Sequence, residues 1–486
     1  VQPPLRKWAI PLGLGLAALA LRLVLFTGLQ CNDDRLYAVE AWDLLQGRPN
    51  IHTQLFATRV GFTAPVAFLY AIFGARTWCL YVPALAASLS LVALAWKLGR
   101  DLYSERGGIA AAAFVALLPL DIVYGTAGFA DVPLAALIGG GAYLVWRAPR
   151  SPSWLWRAAV GGLLWGLAHL VKESAVLLLL PAALLVGGRE HRRALGVAAA
   201  TLAGVIAAEA CVYGLATGDP LFRLHLAQSV QSGPRVDSSL WTRLGAIPSF
   251  MGNPRDAGFP YGGGLHAVAL AGLILGLRKK LPAVPALGVW WLGSGLLLEL
   301  FPSRLFPFHP MLDVQPRMLA IMTLPGAVLA GAGALALKEV RWIRWAAAGG
   351  AAFALACAVR IHADAVRWRW GVEWGHEALQ ARPGTTVVTD PRTALGLRML
   401  SAFSPPWELR VYSRDLPPPS AGTLLLMNGR LAGESRRDGA EPPPWWETGD
   451  PPRASVAERR WPGAWRLRGP SGPEERAAIL EALPRP

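Results

Sequence analysis

Apolar stretches close to 20 residues long recur from the start of the chain to about residue 360. A bilayer core of about 30 Å takes roughly 20 residues of helix to cross. Hydrocarbon offers no solvent to backbone polar groups, so each stretch is restricted to a helix. The stretches fall at 9–29, 78–97, 107–124, 130–146, 157–171, 174–188, 194–214, 263–277, 283–301, 318–337 and 343–360. Gly61–Gly74 is equally apolar but shorter and contains Pro65, which suits an interfacial or re-entrant helix better than a span. The expectation is a polytopic α-helical membrane protein with about eleven transmembrane helices. A charged fraction of 16%, against about 25% in soluble domains, agrees with it.

The formal net charge is +15, but its distribution argues against a nucleic-acid partner. The basic residues form small clusters between apolar stretches, without a basic face interleaved with aromatics. With Gly61–Gly74 left out of the count, Arg6-Lys7, Lys97/Arg100/Arg106, Arg147/Arg150/Arg157, Arg189/Arg192/Arg193, Arg278-Lys279-Lys280 and Lys338/Arg341/Arg344 all fall on one side. Short basic loops mark the cytoplasmic face, so the N-terminus is expected inside and the C-terminus outside. The first run, behind Arg6-Lys7, exceeds a signal-peptide core of about 7–15 residues and reads as an uncleaved signal-anchor. The four cysteines, Cys31, Cys79, Cys211 and Cys357, show no paired or metal-ligand spacing.

The outward connections are the long or acid-bearing ones: 30–77, Asp121–Phe129, Val171–Glu173, 215–262 and the Pro-rich 302–317. Asp33 and Asp34 directly follow the first run, where carboxylates are costly unless used. They begin a segment whose apolar positions Leu36, Tyr37, Val39, Ala41, Leu44 and Leu45 predict an interfacial amphipathic helix, stopped by Gly47 and Pro49. Helix capping is the plain alternative role for the pair. Arg59 precedes the short apolar run, where a contact to lipid headgroups is the simpler reading. Asp121 and Asp131 bracket the next outer loop, and capping again competes. Lys172-Glu173 sits between two apolar runs with almost no loop, which suggests an ion pair or a pathway-facing cation. Arg317 and His309 lie in the last of these outer connections, and a single histidine is weak evidence for a metal.

Taken together, carboxylates and fixed cations collect on one outer face. Cations at that depth suit a phosphate whose lipid tail stays in the bilayer, and a carboxylate suits general-base work on a hydroxyl. Beyond residue 360 charged residues and prolines appear throughout. There Thr385–Thr389, Leu409–Tyr412 and Thr423–Met427 predict short strands, with a helix over 392–403. Residues 361–486 are therefore expected to form a small extracytoplasmic α/β domain beside a transmembrane domain of 1–360. It could also be a stem that packs on the outer loops without chemistry.

Five segments in a fixed order resemble the GT-C superfamily of integral-membrane glycosyltransferases, in its protein O-mannosyltransferase and aminoarabinose-transferase-like branch. They are Asp33-Asp34-Arg35-Leu36-Tyr37-Ala38 running on to Leu44-Leu45-Gln46-Gly47, Arg59 through Phe73-Gly74, Asp131-Val132-Pro133-Leu134, Leu170-Val171-Lys172-Glu173, and Gln315-Pro316-Arg317-Met318-Leu319 with Pro325. The likeness runs from residue 1 to about 337. It departs from the family at Asp34, where Glu is usual, and at Met318, where an aromatic is usual.

The resemblance implies a GT-C-like fold and an inverting transfer from a polyprenyl-phosphate sugar donor to a hydroxyl acceptor on protein, lipid or polysaccharide. It makes Asp33 the general base, with Asp34 beside it. It assigns the lipid phosphate to Arg59, Lys172 and Arg317, with Tyr37, Asp131, Glu173 and His309 in support. No cofactor is certain. A divalent metal is an open expectation, with Asp34 and Asp131 as its ligands, although an orienting role for both is preferred. The expected place is the plasma or inner membrane. A lipid or solute transporter or flippase is the alternative. It calls for ionisable groups near the bilayer midplane, whereas these collect at one edge. A non-catalytic assembly protein is a third reading, under which Asp33→Ala leaves the cellular phenotype intact.

Overall fold

The computed structural model describes residues 4–52, 54–231, 262–300, 302–304, 309–310, 315–337, 343–448, 453–460 and 476–482. In chain order the first helices are α1 (Pro4–Val24), α2 (Asp33–Leu45), α3 (Val60–Phe73), α4 (Val82–Leu102), α5 (Glu105–Leu117) and α6 (Pro119–Tyr124). Next come α7 (Asp131–Arg147), α8 (Trp154–Val171), α9 (Ala175–Ala183), α10 (Arg192–Thr217), α11 (Phe222–Gln231), α12 (Leu265–Arg278) and α13 (Val284–Leu300). After strands β1 (Pro302–Arg304) and β2 (His309–Pro310) follow α14 (Thr323–Ala336) and α15 (Ile343–Gln380). The remainder is β3 (Thr386–Thr389), α16 (Pro391–Leu400), β4 (Glu408–Val411), β5 (Leu424–Asn428), α17 (Gly429–Arg437), α18 (Pro444–Thr448), β6 (Arg453–Arg460) and β7 (Arg476–Ala482). Contacts divide the chain into two compact units.

The first unit comprises Val1–Phe26, Arg48–Pro65 and Tyr81–His362. Its helix α14 is apolar and buried on all sides from Thr323 to Gly333, as a helix at the centre of a bundle must be. By contrast α10 buries only Ala194, Ala198 and Tyr213 and leaves Val212 and Leu215 exposed, an apolar outer surface fit for lipid. Small residues let the backbones approach where helices cross, the usual device where no hydrophobic drive separates helix from lipid. A Cβ on Gly272 of α12 would collide with the Leu329 carbonyl of α14, and one on Gly162 of α8 with the Ala198 carbonyl of α10. Arg22 of α1, fully buried, pairs with Asp121 and bonds Ser88 Oγ and the carbonyls of Ala18, Val115 and Ala116. Asp121 is thus a partner inside the bundle rather than a helix cap.

Four helical segments among the described residues are long and apolar enough to cross a membrane: Val82–Leu102, Arg189–Thr217, Pro316–Ala336 and Ala347–Gln380. Shorter apolar helices include Ala9–Val24, Val60–Phe73, Ala175–Val186, Leu265–Arg278 and Val284–Leu298. The runs 107–124 and 343–360 differ from their predicted bounds. The run 107–124 breaks between α5 and α6, because Pro119 cannot donate to a continuing helix and holds Leu118 extended at ψ 116°. The run 343–360 does not stop where its apolar character ends; α15 continues to Gln380. Gly61–Gly74 does form a helix, α3, with Pro65 inside it. Most of the outer segment 215–262 lies outside the described residues.

The second unit comprises Thr27–Gly47, Val66–Leu80 and Ala363–Pro486. Its five-stranded sheet has the order β4-β3-β5-β7-β6, with β3 parallel to both neighbours and β7 antiparallel to β5 and β6. The parallel half, with α16 between β3 and β4, matches the predicted strands and helix. Val388, Tyr412, Leu425, Trp445 and Trp446 form a core against the sheet. Helix α2 packs on α16: Trp42 stacks on Phe403 at 5.3 Å, and a Cβ on Gly396 would lie 3.1 Å from Cys31 Sγ.

Candidate functional site

In the second unit, α2 forms where its amphipathic pattern predicts and ends at Gln46, with Gly47 taking a positive φ of 69°. The two acids of its first turn are handled differently. Asp34 is fully buried. It accepts the backbone N–H of Gln30 at 2.6 Å, of Asn32 at 2.7 Å and of Arg35 at 3.0 Å. It therefore ties the entry turn to the helix rather than capping it, and the N-cap position belongs to Asn32. Burial raises its pKa, and the three amides only partly offset that. Asp33 keeps partial solvent access. Tyr37, one turn further on, is buried and shares its helix face.

The same segment is held to the sheet domain by charge. Asp438 accepts two bonds from Arg392, at 2.8 and 3.0 Å, and lies 3.6 Å from Arg35. The Arg35 guanidinium also donates to the Asn32 carbonyl at 3.1 Å. A turn, a helix start and a remote domain thus fix the backbone on which Asp33 stands.

In the first unit the structure gathers Arg59, Asp131, Lys172, Glu173 and Arg317 into one buried ionic network. Asp131 begins α7, where the helix dipole favours a negative charge. It takes a hydrogen bond from Lys172 Nζ at 2.7 Å and faces Arg317 Nε at 3.3 Å. Lys172-Glu173 occupies the short break between α8 and α9. Arg59 grips Glu173 with two bonds, 2.6 and 3.1 Å long, the paired geometry that suits guanidinium and carboxylate. This pairing depends on Gly61: its absent Cβ would sit 2.6 Å from Val171 N and 2.7 Å from Leu170 C. Rings complete the placement, with Phe129 under Arg317 at 4.5 Å and Phe56 under Arg59 at 5.0 Å. Burial works to raise the pKa of Glu173, but Arg59 and Arg223 overcome it and hold the group at about 2.

Three members of the network were not found from sequence. Arg223 of α11 lies 3.8 Å from Glu173 and donates to Glu209 at 2.7 Å, while His169 meets the other Glu209 oxygen at 2.7 Å. Glu209 and His169 fall inside apolar runs, and ionisable residues there are the readable sign of an interior site. Among these residues four cations, Arg59, Lys172, Arg223 and Arg317, face three carboxylates. The result is a rigid, cation-rich array at helix ends. His309 is placed by its backbone in β2, paired with Arg304.

A metal fits this arrangement poorly. Asp131 is engaged by Lys172 and Arg317, and both Asp34 oxygens are taken by amides. Among the described residues no group of three or more His, Cys, Asp or Glu side chains is arranged to hold one.

A family model described as dolichyl-phosphate-mannose-protein mannosyltransferase matches residues 62–213. No curated protein matches the chain in sequence. Among solved structures, ArnT from Cupriavidus metallidurans bound to undecaprenyl phosphate superposes with a TM-score of 0.63 at 10% identity, covering 97% of this chain and 98% of that one. The Archaeoglobus fulgidus oligosaccharyltransferase in complex with Zn and sulfate gives 0.52 at 15% identity, over 82% of this chain and 62% of that one. The same organism's AglB, in complex with an inhibitory peptide and a dolichol-phosphate, gives 0.50 at 11% identity, over 82% and 64%. At such identities the likeness establishes the fold. The family-model match covers about a third of the chain and lies mostly within the helical unit.

Proposed function

We propose that the protein is an inverting glycosyltransferase that moves a sugar from a polyprenyl-phosphate donor to a hydroxyl acceptor on the extracytoplasmic face of the plasma or inner membrane. The observation that carries this reading is the buried network of Arg59, Lys172, Arg223 and Arg317, fixed in place by its own carboxylates. The leaving group of such a transfer is a lipid phosphate whose charge grows as the bond to the anomeric carbon breaks. Preorganised cations away from water stabilise that charge without reorganising. Asp131 and Glu173 serve as orienting partners of the cations.

Asp33 acts as general base. The acceptor oxygen bonds to the anomeric carbon, the bond from that carbon to the phosphate oxygen breaks, and the hydroxyl proton passes to the Asp33 carboxylate. A free aspartate has a pKa near about 3.9, far below a hydroxyl, so proton transfer accompanies bond formation and needs close positioning. Asp34 and the Arg35–Asp438–Arg392 contacts supply that positioning. In this reading residues 1–360 carry the transfer chemistry with the N-terminus cytoplasmic, and 361–486 lie outside the membrane and support the first outer loop.

The test is turnover of a polyprenyl-phosphate sugar by purified protein. Asp33→Asn is expected to lower kcat by about 10²–10⁴ while thermal stability and binding of polyprenyl phosphate stay near wild type. Turnover at the wild-type rate in that variant removes Asp33 from the role of base. Absence of transfer by the wild type from every polyprenyl-phosphate sugar supplied, across protein, lipid and polysaccharide acceptors, counts against the function itself.

A further inference from the structure

Helix α7 carries Asp131 of the ionic network at its first residue and Arg147 at its last. Seventeen residues at about 1.5 Å each put the two ends roughly 25 Å apart, on opposite sides of the bundle. At the Arg147 end lies a cavity of about 400 Å³, whose lining includes Asp101, Trp146, Arg147, Arg150, Glu190 and His191. Nothing in the transfer reaction proposed above uses it.

Its polar groups are built in. Asp101 accepts Tyr143 Oη at 2.9 Å and is flanked by Arg100 at 3.3 Å and Arg147 at 3.5 Å. Arg150 stacks over the Trp146 ring at 4.5 Å and donates to the Trp146 carbonyl at 3.0 Å. His191 is 3% exposed. Its Nε2 meets the same carbonyl at 3.1 Å, which makes Nε2 the donor. Its Nδ1 makes no hydrogen bond, although the Glu190 carboxylate lies 3.3 Å away. Arg147 Nε faces the Asp101 carboxylate. The donors that the cavity presents are the guanidinium groups of Arg147 and Arg150.

Two features identify the occupant. The lining residues stand at the ends of apolar helices, the depth at which lipid headgroups lie. The four chain segments that supply or flank the lining, 97–106, 147–157, 187–193 and 278–283, hold twelve Lys and Arg against three Asp and Glu. A basic pocket between membrane helices is suited to a phosphate headgroup, and guanidinium donors beside an indole ring suit its ester oxygens and acyl stems. We infer that this cavity binds the headgroup phosphate of an anionic phospholipid in the leaflet opposite the ionic network, with Arg147 and Arg150 as its ligands.

Full-length protein in detergent, followed by native mass spectrometry and by thermal unfolding, tests this with three probes. Phosphatidylglycerol is expected to remain bound and to raise the unfolding midpoint, while phosphatidylcholine and inorganic phosphate at equal concentration do neither. Arg147→Gln with Arg150→Gln should weaken phosphatidylglycerol binding about tenfold or more. Arg150→Gln alone, at an exposed position, should show part of that loss and keeps the measurement readable if the double variant does not fold. Lys279→Gln with Lys280→Gln, outside the lining, should change binding much less. Equal binding of the two lipids, inorganic phosphate matching phosphatidylglycerol, or wild-type affinity in the folded arginine variants overturns the assignment. The readout is lipid binding, so its failure is separate from a failure of the transferase reading.

Discussion

Asp34 in the second unit is fully buried and Glu173 in the first is only 10% exposed, and the two carboxylates meet burial in opposite ways. Asp34 is surrounded by backbone amides, which carry only partial charge, and its pKa rises. Glu173 is gripped by Arg59 and approached by Arg223, and its pKa falls to about 2. Amides shape a chain without importing charge, so Asp34 serves as a structural tie for the turn that presents Asp33. Guanidinium groups import charge, so Glu173 serves to hold those cations in one arrangement.

The contrast breaks most visibly at Glu173. Glu173→Gln leaves Arg59 and Arg223 without a full countercharge, and loss of one partner of a buried pair costs about 3–5 kcal/mol. The sign follows from linkage: a depressed folded pKa contributes stability above the unfolded value, which is lost as pH falls through the folded one. Stability of the variant against wild type, measured between pH 7 and pH 2, should show a full deficit at neutral pH that fades from about pH 4.5 toward pH 2. A deficit independent of pH would sink the electrostatic account.

Gly61→Val tests the packing that sets up the same pair. The added side chain meets the backbone of Val171 and Leu170, and overpacking of this kind costs about 1–3 kcal/mol. It should also part Arg59 from Glu173, so sugar-transfer activity should fall further than thermal stability suggests. Activity that follows stability alone would show the close approach to be purely structural.

Asp34→Asn sharpens the other side. The amide keeps one acceptor oxygen but turns N–H donors toward backbone donors, at a cost of about 1–3 kcal/mol. Here the pH trend reverses. A raised folded pKa means that wild-type stability declines as pH climbs above the unfolded value near 3.8. The deficit of the variant should therefore be largest at acid pH and shrink as pH rises, the mirror image of Glu173→Gln. Parallel pH profiles for the two variants would contradict the distinction.

The smallest effect on stability is expected from Asp438→Ala. Asp438 is 47% exposed, and ion pairs of that kind contribute about 0–1 kcal/mol. If the sheet domain positions Asp33 through Arg35 and Arg392, kcat should drop several-fold with KM little changed, and Asp438→Glu should restore part of it. An unchanged kcat would leave the α2 contacts without a role in the reaction.

Much of the local structure was legible beforehand. The strands around Val387, Leu409 and Leu425 are short β-prone runs bounded by turn residues, and composition and punctuation are local properties. The amphipathic helix from Asp33 to Leu45 was readable for the same reason. Arg59, Asp131, Lys172, Glu173 and Arg317 could be named because each charge adjoins an apolar run. Arg223 and Glu209 could not be matched, because the pairing of α10 with α11 depends on how the chain turns back at Gly218, which takes a positive φ of 78°. Neither was the pairing of Arg22 with Asp121 visible, since the two are 99 residues apart.

The sequence by itself determined that this chain builds membrane helices, that a small α/β sheet follows them, and which charged residues stand near helix ends. Those are consequences of hydropathy and periodicity, which act over a few turns. Only the tertiary structure decided which charges meet: that Asp131 answers Lys172 and Arg317, that Glu173 answers Arg59 and Arg223, and that residues 27–47 cluster with the C-terminal sheet. An ion pair is a matter of a few ångströms between distant segments, and that distance exists only after the helices have packed.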